Sequence, residues 1–169
     1  GKKRWIGERP EVINVRARIG DWEGDTIIGA ERTKRILTHV ERVSCYLLAD
    51  ILQVVSAEIV AEKTITSLRK IPKQKRKSIT YDNGTEFSFF EIIERKTKAT
   101  VYFANAYHSW ERGTNENTNG LVRQFFPKRS SFAKLTQKDV NRVVKLLNHR
   151  PRKKLNYLTP FEIFHCTSF

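Results

Sequence analysis

Residues 26–51 hold three apolar, β-branched runs: Thr26-Ile27-Ile28-Gly29, Ile36-Leu37-Thr38-His39-Val40 and Tyr46-Leu47-Leu48-Ala49-Asp50-Ile51. Residues of this kind favour extended backbone. The connections, Ala30 to Arg35 and Glu41 to Ser44, are short and polar, which favours an antiparallel meander. From Ser56 the period changes. Ala57, Val60, Ala61, Thr64, Ile65 and Leu68 recur at helical spacing, Ser56 is the expected N-cap, and Pro72 lies past the end. Ser78-Ile79-Thr80-Tyr81 then reads as a strand, Phe89 to Lys96 as a helix and Thr100-Val101-Tyr102-Phe103 as a further strand. Thr114 is the expected N-cap of a helix running to about Phe126, before Pro127. Thr136 and Asp139 have capping-box spacing, and Val140, Val143, Val144 and Leu147 make the apolar stripe of a helix that Pro151 ends. The expected product is a mixed α/β domain with antiparallel and parallel pairings.

The 169 residues contain 32 Lys and Arg against 18 Asp and Glu, a net charge of +14. With 39% hydrophobic and 11% aromatic residues the chain can build a core, so it is no disordered basic tail. No apolar run approaches the length of a membrane-spanning helix, and no signal peptide is visible. Cys45 and Cys166 lie far apart and read as free thiols of a reducing compartment. Such an excess of positive charge concerns partners rather than fold, and nucleic acid is the partner it favours. Most of it is concentrated: Leu121 to Lys154 holds eleven Lys and Arg against one acid, Asp139, a net +10. A second cluster, Lys70, Lys73, Lys75, Arg76 and Lys77, reads as a loop that is either a solvated face or a contact surface.

Three acids stand out by context. Asp25 heads the first strand in Trp22-Glu23-Gly24-Asp25, Asp82 ends a later strand in Asp82-Asn83-Gly84, and Glu116 lies in the first turn of a helix. Each alone has an ordinary reading, as strand-edge acid, turn residue or helix-dipole partner. Together they are what phosphate chemistry needs, because a few carboxylates can hold Mg²⁺ and leave positions for water and phosphate. At about 100° per residue, Asn119, Gly120 and Arg123 share the side of Glu116, while Leu121, Val122 and Phe125 face the core. Gly120 leaves room there for a phosphate backbone. Trp110 is either a base-stacking wedge or a core lid. The four histidines lack zinc-ligand spacing, and neither a P-loop nor a nucleophile elbow is present.

These residues resemble a known family. The strings Trp22-Glu23-Gly24-Asp25, Asp82-Asn83-Gly84-Thr85-Glu86-Phe87 and Trp110-Glu111-Arg112-Gly113-Thr114-Asn115-Glu116-Asn117-Thr118-Asn119-Gly120-Leu121 carry the likeness. Phe126-Pro127-Lys128, Asn148-His149-Arg150-Pro151-Arg152-Lys153 and Thr159-Pro160-Phe161-Glu162 extend it. The chain is similar to the catalytic core of bacterial DDE transposases of the insertion-sequence-thirty family, in the retroviral-integrase superfamily. Asp82 and Glu116 have 33 residues between them, which is also that family's spacing.

The resemblance implies a ribonuclease-H-like fold, a five-stranded mixed sheet flanked by helices, over residues 20–169. Residues 1–19 are then an extension or linker from a helix-turn-helix region. It implies that Asp25, Asp82 and Glu116 are catalytic and hold Mg²⁺ or Mn²⁺, as two ions. It further implies hydrolysis of phosphodiesters at transposon ends and attack of the freed 3′-OH on target DNA. The residues expected to contact DNA are Trp110, Arg112, Asn119, Arg123, Lys128, Arg129, Arg150, Arg152 and Lys153. The expected partners are the transposon ends, the target duplex and further copies of the chain assembled on DNA, in a bacterial cytoplasm, with no membrane and no nucleotide cofactor. The alternatives are a non-catalytic DNA-binding or assembly module and a ribonuclease-H-type nuclease that does not join.

Overall fold

The computed structural model describes residues 1–106 and 109–166, with the backbone alone at Ser109 and Trp110. Among these residues the strands are β1 (Arg4–Trp5), β2 (Asp21–Ile28), β3 (Arg35–Glu41), β4 (Leu47–Leu52), β5 (Ser78–Tyr81) and β6 (Thr100–Phe103). The helices are α1 (Glu11–Asn14), α2 (Ala57–Arg69), α3 (Phe90–Thr97), α4 (Gly113–Val122), α5 (Gln137–Asn148) and α6 (Pro160–Cys166). The sheet order is β1-β6-β5-β2-β3-β4. β2, β3 and β4 form the expected antiparallel meander, and β5 and β6 join β2 in parallel.

The sheet has six strands where five were expected. The sixth, β1, is only Arg4 and Trp5 and pairs in parallel with β6, with the Trp5 ring edge-on to Phe103. Two residues, one of them charged, give no periodic signal. The first nineteen residues otherwise pack against the domain: Ile6, Ile13 and Ile19 are buried.

Strand alternation sorts the core into two layers. Trp22, Leu37, Leu52, Ile79, Tyr81, Val101 and Phe103 point to one face, beneath α2, α3 and Phe164 of α6. Ile27, Ile36, Leu47 and Ile51 point to the other, against Val122 of α4 and Val140, Val143 and Leu147 of α5. Ser56 caps α2 by accepting from the Ile59 amide, and Thr136 and Asp139 form the capping box of α5. The free edge of β4 is covered by amide side chains of α5. Asn148 bonds both backbone groups of Leu47, and Gln137 bonds the Ile51 amide and the Ala49 carbonyl. Covering an edge in this way removes a template for strand addition.

Three local expectations are corrected. β2 begins at Asp21, so Asp25 is its fifth residue and not its head. The charged Asp21 and Glu23 hide the strand, yet both are buried. Thr114 does not cap α4. Arg112 holds the N-cap position, and Thr114 is buried in the first turn, where its hydroxyl accepts from Arg16. α4 ends at Val122, and residues 123–126 tighten into turns ahead of Pro127, which disfavours α backbone at the residue before it.

Gly24 marks a close approach. A Cβ there would collide with the Tyr81 ring, which stacks on Phe87 at 4.1 Å and hydrogen-bonds His39 Nε2 at 2.7 Å. Burial drives the His39 pKa down to about 3. A histidine neutral when folded takes up a proton on unfolding below about pH 6.5. Stability should therefore fall as pH drops from about 6.5 toward 3, with a slope of up to about 1.4 kcal/mol per pH unit from this residue. Urea unfolding of the wild type and His39→Gln between pH 4.5 and 7 checks this: the variant should show the shallower pH dependence. Gly24→Ala should lower stability by about 1–3 kcal/mol through overpacking.

Candidate nucleic-acid processing site

Asp25 lies where β2, the central strand, passes under α4. Alternation puts Asp21, Glu23 and Asp25 on the same face, and each is held differently. Asp21 is gripped by Arg18 through two bonds of 2.9 and 3.0 Å and accepts from Ser78 at 2.6 Å. Glu23 is fully buried 3.7 Å from Arg42, and desolvation raises its pKa. Asp25 sits further along, with about a quarter of its side chain exposed at the wall of a cleft.

That cleft, about 510 Å³, is lined by Asp25, Thr26, Arg112, Asn115, Glu116, Asn119, Gly120, Arg123 and Lys128, among others. Asp25 Oδ1 accepts from the Thr26 amide at 2.8 Å, and Oδ2 accepts from Asn119 Nδ2 at 3.1 Å. The Asn119 amide is itself fixed, since Thr38 Oγ1 lies 3.2 Å from its Oδ1 and its Nδ2 also reaches Asn115 Oδ1 at 3.1 Å. Asn115 in turn donates to the Glu23 carbonyl at 3.3 Å. The pair Asn115 and Asn119, one helical turn apart, thus docks α4 on β2. Sequence reading placed Asn119 toward DNA; its amide faces Asp25. The signal for this was the Asn pair at i, i+4 on a helix whose inner face is polar.

Arg112 joins two of the three acids. Its Nη1 lies 3.7 Å from Asp25 Oδ2 and its Nη2 lies 3.9 Å from Asp82 Oδ2, while Nη1 donates to the Gly24 carbonyl at 3.2 Å. Burial raises the Asp25 pKa above its ordinary value, Arg112 opposes that, and Asp82 and Glu86 add to it. Asp82 stands just beyond β5, where its Oδ1 accepts the Gly84 amide at 2.8 Å. Glu86, which sequence reading passed over, lies 3.4 Å from Arg35 and 3.5 Å from Thr26 Oγ1.

The two aspartates converge on a space that holds positive charge, and their oxygen donors suit a hard divalent cation. Glu116 is exposed on the cleft wall. Among the described residues no three His, Cys, Asp or Glu groups stand close enough together to hold a metal ion.

The expected DNA contacts divide. Arg112, Asn119, Arg123 and Lys128 line the cleft. Arg123 is anchored by donating to the Ile28 and Phe126 carbonyls at 3.0 and 3.4 Å. Arg129 and Lys153 are exposed, and Arg150 lies over the Phe125 ring at 5.9 Å. Arg152 is buried, with its guanidinium on the Leu147 carbonyl at 3.1 Å, so it closes the end of α5. The side chain of Trp110 lies outside the described residues.

No protein-family model matches the chain. The transposase for insertion sequence element IS4351 of Bacteroides fragilis is 45% identical over 159 residues, 94% of this chain and 48% of that protein. Transposase InsI for insertion sequence element IS30A of Escherichia coli strain K12 is 39% identical over 158 residues, 94% of this chain and 41% of that protein. The chain is a homologue of IS30-family transposases. It spans slightly less than half the length of these relatives. A chain in the cryo-EM structure of a simian T-cell lymphotropic virus intasome, in complex with PP2A regulatory subunit B56 gamma, superposes with a TM-score of 0.69. It is 16% identical, and the match covers 86% of this chain and 54% of that one. The fold is the ribonuclease-H-like one, with β1 added to the sheet.

Removing the guanidinium should leave Asp25 and Asp82 facing each other unscreened. Arg112→Ala is expected to melt roughly 2–4 °C below the wild type, equivalent to about 1 kcal/mol at this size. Mn²⁺ should stabilise the variant more than the wild type. Thermal denaturation with and without Mn²⁺ reads both effects, and an equal Mn²⁺ response in the two proteins would contradict the arrangement.

Proposed function

We propose that the chain is the catalytic core of a DNA transposase, cutting phosphodiesters at transposon ends and transferring the freed 3′-OH into target DNA. The observation that carries this reading is Arg112 set between Asp25 and Asp82, at a cleft that Asp25 and Arg112 share with Glu116, Arg123 and Lys128. Transposase homologues and the ribonuclease-H-like fold support it. In this reading residues 20–169 are the core and residues 1–19 an N-terminal extension. The core works on DNA as a multimer, in a bacterial cytoplasm.

Asp25 and Asp82 are the groups that would hold Mg²⁺ or Mn²⁺, and Glu116, which stands apart from them on the cleft wall, is the third acid of the proposed triad. Such ions, when bound, supply Lewis acidity and stabilise the attacking and leaving oxygens of an in-line displacement. The chain's own residues do the rest. Asn119 and the Thr26 amide orient the Asp25 carboxylate. Gly120 leaves the wall of the cleft without a side chain, so a backbone phosphate can approach, and a Cβ there would meet nothing within 4 Å. Arg123 and Lys128 place positive charge at the same wall, where it binds the scissile strand and offsets charge that builds up on the phosphorus centre.

A strand-transfer assay with pre-cut ends, target duplex and Mg²⁺ or Mn²⁺ tests the reading. Joined products are expected from the wild type, and Asp82→Ala and Glu116→Gln should lower their yield by on the order of 10³-fold or more. Full activity in either variant overturns the assignment. Cutting without joining would make the chain a nuclease, and binding without cutting would make it an assembly module.

A further inference from the structure

The second basic run of the sequence is divided by the fold. Lys70 caps the end of α2. Lys75 is spent internally: its ammonium donates to the Phe164 carbonyl and lies 4.9 Å over the Phe164 ring. Lys73, Arg76 and Lys77 instead line a cavity of about 380 Å³. Distant parts of the chain add Arg18, Lys98, and the hydroxyl residues Ser78, Thr100 and Tyr102.

Among the described residues no acid lines this cavity. Arg18 is neutralised by Asp21 behind it, and Ser78 is engaged by the same carboxylate. Arg76 donates through Nη1 to the Leu68 carbonyl at 3.0 Å, which fixes the guanidinium and leaves its charge uncompensated. Lys98 is held at the end of α3 in a left-handed conformation, with φ of 66°. Among the described residues the ammonium groups of Lys73, Lys77 and Lys98 have no ion pair or hydrogen bond, and all three side chains are exposed. Four cations, Lys73, Arg76, Lys77 and Lys98, therefore converge on one concavity. A solvated face would disperse such charges or interleave acids among them.

The place of the cavity matters. It opens at the starts of β5 and β6, where Ser78 pairs with Asp21. Asp25 lies four residues further along β2, and Asp82 four residues after Ser78, just beyond the end of the parallel β5. At ~3.3 Å per residue the cleft is displaced by ~13 Å along the strands, toward the opposite end of the sheet. α4 and the N-terminal segment occupy the face between them: Arg9 donates to Thr80, and Arg16 to Thr114.

We propose that this cavity is a second DNA-backbone site, taking phosphodiester oxygens of a duplex at the end of the sheet opposite the cleft. The choice of a duplex over free phosphate rests on the reading of the chain as a DNA-processing core; the convergence of cations does not. A protein that joins two DNAs has two duplexes to hold, and this site gives the second one a fixed place.

The test is binding of a labelled random-sequence duplex by the 169-residue chain across 50–200 mM salt, followed by fluorescence anisotropy. Three proteins are compared: wild type, the triple variant Lys73→Gln, Lys77→Gln, Lys98→Gln, and the cleft variant Arg123→Gln, Lys128→Gln. Matching melting temperatures confirm that the exposed substitutions leave the fold intact. The triple variant should bind about ten-fold more weakly near 100 mM salt. Its slope of log K against log [salt] should be shallower by about 0.9 for each phosphate that is no longer neutralised, up to roughly 2.7. Wild-type affinity and slope in the triple variant, with binding abolished in the cleft variant, overturn the second site and leave the proposed function standing. A wild type that binds no duplex overturns both. Inorganic phosphate at millimolar concentration separates the two phosphate sources. If it saturates the cavity, read as a wild-type thermal shift absent from the triple variant, while duplex binding is equal in those two proteins, the cavity is a small-anion site and the proposal fails.

Discussion

The structure depends on how β2 buries carboxylates. Its alternation sets Trp22 and Gly24 into one layer and Asp21, Glu23 and Asp25 into the other. Taking a carboxylate out of water costs several kcal/mol unless partners replace its hydration. Asp21 and Glu23 are almost fully buried and each is matched to an arginine, Arg18 and Arg42. Such pairs add little net stability; the two apolar layers provide that. What the pairs do is fix position. Asp25, the third acid of the row, is held by a backbone amide and an asparagine as well as by Arg112 at 3.7 Å, and of the three it alone meets the cleft.

The elements over that face answer the same constraint. The N-terminal segment contributes Arg9, Arg16 and Arg18, which reach Thr80, Thr114 and Asp21. α4 lays a polar face, Thr114, Asn115 and Thr118, on the sheet where an ordinary helix would lay leucines. Val122 at its end returns to the apolar layer of α5. Glu116 and Gly120 then fall on the outer side of the same helix, toward the cleft. The buried, arginine-paired acids and the cleft-facing acids are thereby separated along one strand and across one helix.

Most elements were legible because their signals are local. The three apolar runs, Ser56 before α2 and the Thr136–Asp139 box before α5 all act within a few residues. That Glu116, Asn119, Gly120 and Arg123 share one side of α4 was legible from helical spacing. What escaped depends on partners far away in sequence. The start of β2 looked polar because Arg18, Ser78 and Arg42, which make its charges burial-compatible, lie elsewhere. Thr114 has the chemistry of an N-cap, but Arg16, nearly a hundred residues earlier, claims its hydroxyl. Arg152 reads as one more surface cation until the turn of residues 152–158 folds it under α5. The bridging of Asp25 and Asp82 by Arg112 needs three segments at once.

In the proposed function Asp25 and Asp82 form one cation-holding pair, kept apart from their buried neighbours. Crystals soaked in Mn²⁺ and measured for anomalous scattering test it directly. A peak at the Asp25 and Asp82 carboxylates is expected, with the Arg112 guanidinium displaced from between them. A map with no peak there and Arg112 still between the two aspartates, at saturating Mn²⁺, would contradict it.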